Sequence, residues 1–184
     1  MFTAAQRKQL IQLARDSLAW GLQKGSPKPV RLKDYPAELQ RQAACFVTLH
    51  ENDQLRGCIG SLQAQRPLVE DVSENAFAAG FRDPRFAPLQ ATELEQLKLS
   101  ISVLMPAQEM SFDSEQDLIS QLKPGEDGLI LQDGYHRATF LPSVWEQLPQ
   151  AQEFLNHLKL KAGLSPDYWS DNIRISRYHT ESFE

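Results

Sequence analysis

The hexapeptide Leu55-Arg56-Gly57-Cys58-Ile59-Gly60 brackets a thiol with two glycines and sets a guanidinium two residues before it. Glycine weakens a strand, because it packs nothing and loses much entropy on folding. Two of them in a short apolar run imply that something approaches the backbone closely. An arginine beside a thiol favours the thiolate and attracts an anion. Backbone N–H groups next to glycine suit an oxygen of a carboxylate or phosphate. Arg56, Gly57, Cys58 and Gly60 are therefore candidates for an anion or carbonyl site, with Cys58 as ligand or nucleophile. The plainer reading is a bulged strand carrying a small buried cysteine.

A second charged cluster lies in Phe81-Arg82-Asp83-Pro84-Arg85-Phe86-Ala87-Pro88. It is a proline-stiffened loop after a helix, the kind of place where function concentrates. Asp83 is suited to orient Arg56 or Arg85, or to accept a proton if partly buried. Alternatively, Phe81 and Phe86 pin the loop and Asp83 caps a turn. His136 is the candidate base for Cys58, provided the fold brings it near. His50, His157 and His179 read as solvated surface. No histidine pair has metal spacing, and no Walker loop, GxGxxG fingerprint or GxSxG elbow is present, so neither metal nor cofactor is expected.

The elements that must position these residues follow from periodicity. Thr3 and Gln6 form a capping box for a first helix, over 3–22, with Leu10, Ile11, Ala14 and Leu18 at helical spacing and Gly25 as its stop. Residues 43–49 and 55–59 read as strands around a turn at 51–54, and Pro67 opens a helix to about Gly80. Leu97, Leu99, Ile101 and Val103 alternate with polar residues, the pattern of a half-buried strand. Asp113 and Gln116 cap a short helix, and Asp133-Gly134 is placed at a type I′ turn between strands within 128–140. A helix spans about Gln150 to Ala162, and Ile173, Ile175 and Arg177 form a last strand. The expected class is α+β, a single domain over 1–184, with one mainly antiparallel sheet containing 43–49, 55–59, 97–104 and 128–140.

Composition sets the outer limits. The 184 residues are 41% hydrophobic, 9% aromatic and 23% charged, the profile of a globular chain with a core of its own. Nineteen Lys and Arg against 24 Asp and Glu leave a net charge of -5, which argues against nucleic acid as a main partner. No apolar run has membrane length and no leader pattern opens the chain, so a cytoplasmic location is expected. Cys45 and Cys58 are read as reduced thiols. Cys45 sits in an apolar strand and is expected to be buried. Across a regular hairpin it lies diagonal to Cys58, about 7 Å away, without a native disulfide.

Together these segments resemble the AMMECR-one domain family. Leu55-Arg56-Gly57-Cys58-Ile59-Gly60 is similar to its signature hexapeptide, and Asp83-Pro84-Arg85-Phe86-Ala87-Pro88-Leu89 to its second motif. Leu99–Leu104 resembles its central strand and Thr139–Trp145 a later segment, with Ala138 standing where the family usually has glycine. The resemblance implies an α+β fold with a larger and a smaller lobe, and a cleft near the hexapeptide lined by Arg56, Cys58, Asp83 and Arg85. It also implies likeness to component A of the AmmeMemoRadiSam system, with a Memo-like protein and a radical SAM protein as partners. This chain has no CxxxCxxC run for an iron–sulfur cluster, so radical chemistry would fall to a partner.

Overall fold

The computed structural model describes residues 1–184 throughout. Helix α1 (Ala4–Lys24) begins as expected, with the Thr3 hydroxyl accepting the Gln6 N–H while the Gln6 side chain accepts the Thr3 N–H. Strands β1 (Ala44–Glu51) and β2 (Gln54–Gly60) form a hairpin, followed by α2 (Leu68–Phe81) and β3 (Lys98–Leu104). The chain continues through β4 (Gln108–Glu109), α3 (Glu115–Gln121), β5 (Gly128–Asp133), β6 (His136–Phe140), α4 (Ala151–Lys161), β7 (Arg174–Tyr178) and β8 (Thr180–Phe183). The α+β class holds.

The expected single sheet does not. There are two four-stranded antiparallel sheets, ordered β2-β1-β3-β8 and β4-β7-β5-β6, so 128–140 lies in a different sheet from 43–49. Alternation tells which face of a strand is buried, but not which strand covers it. The chain accordingly divides into two compact units, residues 1–104 with 181–184, and residues 105–180.

In the first unit α1 packs on α2, and α2 packs on β1 and β2. Leu10, Leu18, Val47, Leu49, Val72, Ala76 and Ile101 are fully buried between these layers. The β1–β2 turn is Asn52-Asp53, with φ of 51° and 61°, so the type I′ geometry occurs here. Pairing runs Glu51 to Gln54 and His50 to Leu55, then jumps to Leu49 with Gly57 and Thr48 with Cys58. Arg56 is the unpaired residue of a β-bulge. A regular hairpin from this turn would set Cys58 opposite the fully buried Val47, on the helix-covered face. The extra residue puts Gly57 on that face and turns Cys58 to the other. Cys45, which shares the core face with Val47 and Leu49, is thus separated from Cys58 by the sheet rather than lying diagonal to it.

In the second unit α4 covers β6, and Trp145 stacks on Phe154 with ring centroids 3.8 Å apart. The expected Asp133-Gly134 turn is instead Gly134-Tyr135, since Asp133 still pairs with His136. Only Gly134 has positive φ (56°), the type II′ pattern. Ser114, not Asp113, caps α3 by accepting the Asp117 N–H. Lys159 is fully buried, held by Glu115 and the Pro166 carbonyl. No helix is long and apolar enough to cross a membrane.

Candidate functional site

Strand β2 is an edge, hydrogen-bonded to β1 alone. At a non-hydrogen-bonded pair such as Thr48–Cys58, the backbone N–H and C=O point away from the neighbouring strand. At Cys58 both are engaged by side chains. Its N–H donates to Asp83 Oδ2 at 2.9 Å, and its carbonyl accepts from Arg85 Nη2 at 3.2 Å. Asp83 Oδ1 in turn accepts the Arg85 Nε at 2.9 Å, and Oδ2 accepts Nη2 at 2.7 Å. Asp83 and Arg85 together thus occupy the place of a residue on a further strand. Pro84 favours an extended Asp83 and a tight turn after it, closed by the Phe86 N–H on the Asp83 carbonyl. The Arg85 guanidinium holds the Asp83 carboxyl well below the usual carboxylate range; burial opposes this, and the N–H groups of Cys58 and Arg85 reinforce it.

Arg56 leaves the strand at the bulge and meets Glu93. Its Nε donates to Oε1 at 2.6 Å, and its Nη2 to Oε2 at 3.2 Å and to the Ala87 carbonyl at 3.0 Å. The guanidinium carbon lies 5.9 Å from the centre of the Phe86 ring. Only 13% of the Arg56 side chain is exposed. The pair lowers the Glu93 carboxyl and raises the guanidinium, in both cases chiefly through the hydrogen bonds between them. Glu93 was not singled out from sequence, because it falls in an irregular segment where no period marks a residue as facing inward.

The glycines serve close approach by the protein's own chain. A Cβ on Gly57 would lie 2.2 Å from the Ala79 carbonyl oxygen of α2. One on Gly60 would lie 2.3 Å from the Phe46 ring and 2.6 Å from the Cys45 carbonyl. Helix and sheet therefore meet at Gly57, while Phe46 lies across Gly60.

On the sheet face turned from α2, the half-buried Cys58 Sγ lies 3.2 Å from Thr48 Oγ1. Ser100 pairs with Thr48 on its other side, giving the cross-strand row Cys58–Thr48–Ser100. The next row is Gly60–Phe46–Ser102, and Ser102 Oγ meets Ser182 Oγ at 2.8 Å. Thr48 was missed from sequence because the bulge alone sets it beside the thiol. A thiol and hydroxyls arranged this way donate and accept hydrogen bonds without a net charge. Cys45 is fully buried, and burial first, then the Asp71 carboxylate, pushes its thiol up. His136 belongs to the second unit, where its Nδ1 lies 2.8 Å from the Ala162 carbonyl. No three His, Cys, Asp or Glu side chains are gathered into a metal-binding set.

Known proteins resemble this chain, one in fold and several in sequence. Protein PH0010 of Pyrococcus horikoshii, a crystal structure, matches with a TM-score of 0.82 at 32% identity, covering 98% of this chain and 92% of that one. Protein MJ0810 of Methanocaldococcus jannaschii is 34% identical over 165 residues, covering 85% of this chain and 80% of its own. Protein MK0488 of Methanopyrus kandleri is 35% identical over 184 residues, with coverage of 95% and 86%. The AMMECR1 family profile matches residues 11–183, a span that takes in both units, the hexapeptide and the loop that caps it. The chain therefore belongs to the AMMECR1 family.

Proposed function

We propose that this protein binds a small, uncharged, carbonyl-bearing ligand on the sheet face around Cys58, as a non-enzymatic accessory component of an AmmeMemoRadiSam-type system. The observation that carries this reading is the Cys58–Thr48 pair at 3.2 Å on the face turned from α2, with the backbone of Cys58 clamped from the edge by Asp83 and Arg85. A clamped backbone holds donors in place before a ligand arrives, so less ordering entropy is lost on binding. The thiol and the hydroxyls of Thr48 and Ser100 are donors for a carbonyl oxygen.

Binding is favoured over turnover because the nearby charges are committed to one another. Arg56 is paired with Glu93 and Asp83 with Arg85, so the guanidinium that would activate a thiol or hold an anion is already neutralised. In this role Gly57, Gly60, Asp83 and Arg85 position Cys58 rather than touch the ligand. Any redox chemistry rests with the Memo-like and radical SAM partners that the family resemblance suggests.

Backbone NMR titration with neutral amides and ketones, beside carboxylates of the same size, tests the reading. Shifts from the neutral compounds should gather at Thr48, Cys58 and Ser100 and weaken in Cys58→Ala. Shifts gathered elsewhere, or unaltered in that variant, refute it.

A further inference from the structure

A different group on the first unit offers a charge that is not fully used. Just beyond the hexapeptide, a cavity of about 370 Å³ is bounded by Gly60, Ser61, Gln63, Gln65, Arg66 and Asp71. Its volume falls at the lower end of the range for small-molecule sites. We propose that this cavity binds a compact anion, a carboxylate or a phosphate, with Arg66 as its principal donor. The proposal goes beyond the Cys58 reading and does not depend on it.

Three observations support the assignment. First, Arg66 is held from behind by a carboxylate that cannot move. Asp71 has a side chain 2% exposed; its Oδ2 accepts the Cys45 N–H and the Asn75 Nδ2, both at 2.9 Å, and its Oδ1 accepts the Ser61 hydroxyl at 2.9 Å. Arg66 Nε lies 3.3 Å from that same Oδ1. The contact is made by Nε, and no protein acceptor takes a hydrogen bond from Nη1 or Nη2. A planar fork presented in this way suits two parallel bonds to an oxyanion.

Second, the rest of the lining is neutral. Ser61, Gln63 and Gln65 bring a hydroxyl and amides, and Gln65 already donates to Gln63 at 3.2 Å. Arg66 also borders a second cavity of about 240 Å³, where Glu70 and Glu74 stand with Lys28. In the first cavity the one carboxylate is Asp71, whose oxygens already accept from Cys45, Asn75 and Ser61.

Third, Gly60 stands in the same kind of cross-strand pair as Cys58, two residues further along the free edge. Its N–H consequently points off the sheet as that of Cys58 does. At Cys58 this direction is occupied by Asp83, a carboxylate from the protein itself. At Gly60, which lines the cavity, the equivalent position is left to a ligand oxygen.

The test titrates the full chain with malate and, separately, with inorganic phosphate, following backbone amide shifts. Saturable shifts at Gly60, Ser61 and Arg66 are expected for at least one of the two, and which one responds identifies the class of anion. Arg66→Gln should weaken that binding about tenfold or more, as for loss of a charge-assisted pair, and Arg66→Lys should restore part of it. Gln63→Glu, which adds a carboxylate to the lining without touching the Asp71 network, should also weaken binding in a chain that unfolds at the wild-type temperature. No saturable shift by roughly 10 mM, the weak end of the affinity scale, overturns the proposal. So does equal affinity in Arg66→Gln, or in Gln63→Glu if Arg66→Gln fails to fold. Alkylation of Cys58 measured on the same variants should be unchanged, which keeps failure here distinct from failure of the Cys58 reading.

Discussion

Thr48 stands directly opposite Cys58 across the first hairpin, with Oγ1 and Sγ 3.2 Å apart, while Cys45 on the same strand faces the core. The two thiols should consequently differ in access. Iodoacetamide at neutral pH should label Cys58 in the folded protein and leave Cys45 untouched until denaturant is added. Peptide mass spectrometry reads the ratio, and labelling of Cys45 ahead of Cys58 would contradict the register.

Asp83 should carry stability that depends on pH in a definite direction. Its carboxyl titrates lower in the folded chain than in the unfolded one, where it lies near pH 4 (about 3.9). Its contribution is therefore complete above that value and is lost as pH falls through the folded one. Asp83→Asn should cost about 1–3 kcal/mol at pH 7, since it leaves the Cys58 N–H and Arg85 with a weaker partner. Urea unfolding of both proteins should show the gap closing below about pH 4. A gap that stays constant across this range would remove Asp83 from the account.

Arg56→Ala separates packing from thiol chemistry. It strands Glu93 and frees the Ala87 carbonyl, so stability should fall by about 1–3 kcal/mol. The pH profile of Cys58 alkylation should not move, because the guanidinium is already neutralised by Glu93. A shifted alkylation profile in a chain of unchanged stability would restore Arg56 to the thiol site.

Gly57→Ala should be the most damaging single methyl in the hexapeptide. The new carbon meets the backbone oxygen of Ala79, which cannot yield without moving α2, and a loss of about 2–3 kcal/mol or more is expected. Gly60→Ala meets a backbone oxygen less closely, the Cys45 carbonyl at 2.6 Å, and otherwise presses on the half-buried Phe46 side chain, which can change its χ1 rotamer, so its cost should be smaller. Thermal unfolding of the two variants ranks them, and the reverse order would mean that α2 gives way more easily than Phe46.

Local patterns carried much of this fold into the sequence. The Thr3–Gln6 cap, the Gly25 stop and the alternation from Leu97 to Val103 act within a few residues, and each is present as read. The division into two sheets was not legible, because strand partners are chosen by contacts far apart in the chain. The site shows the same boundary. Arg56, Cys58, Asp83 and Arg85 do gather in one place, and Asp83 pairs with Arg85, one of the two arginines read for it, while its carboxylate also takes the Cys58 N–H; Arg56 goes instead to Glu93, in a segment without period. The glycines pointed to a bulged strand, but not to which residue the bulge leaves unpaired, so the face on which Cys58 emerges had to be seen.

The bulge at Arg56 makes the number of residues between Asn52-Asp53 and Cys58 as decisive as their identities. Strand faces alternate, and the bulge absorbs one extra residue. Deleting Arg56 would close the bulge and keep Cys58 opposite Thr48, whereas adding one more residue there, even one whose side chain does nothing, would drive the sulfur beneath α2 and bring Gly57 out in its place. Replacing Arg56 would leave the sulfur where it is. The segment behaves like a combination lock set by arithmetic: its spelling tolerates revision, whereas an added letter jams it.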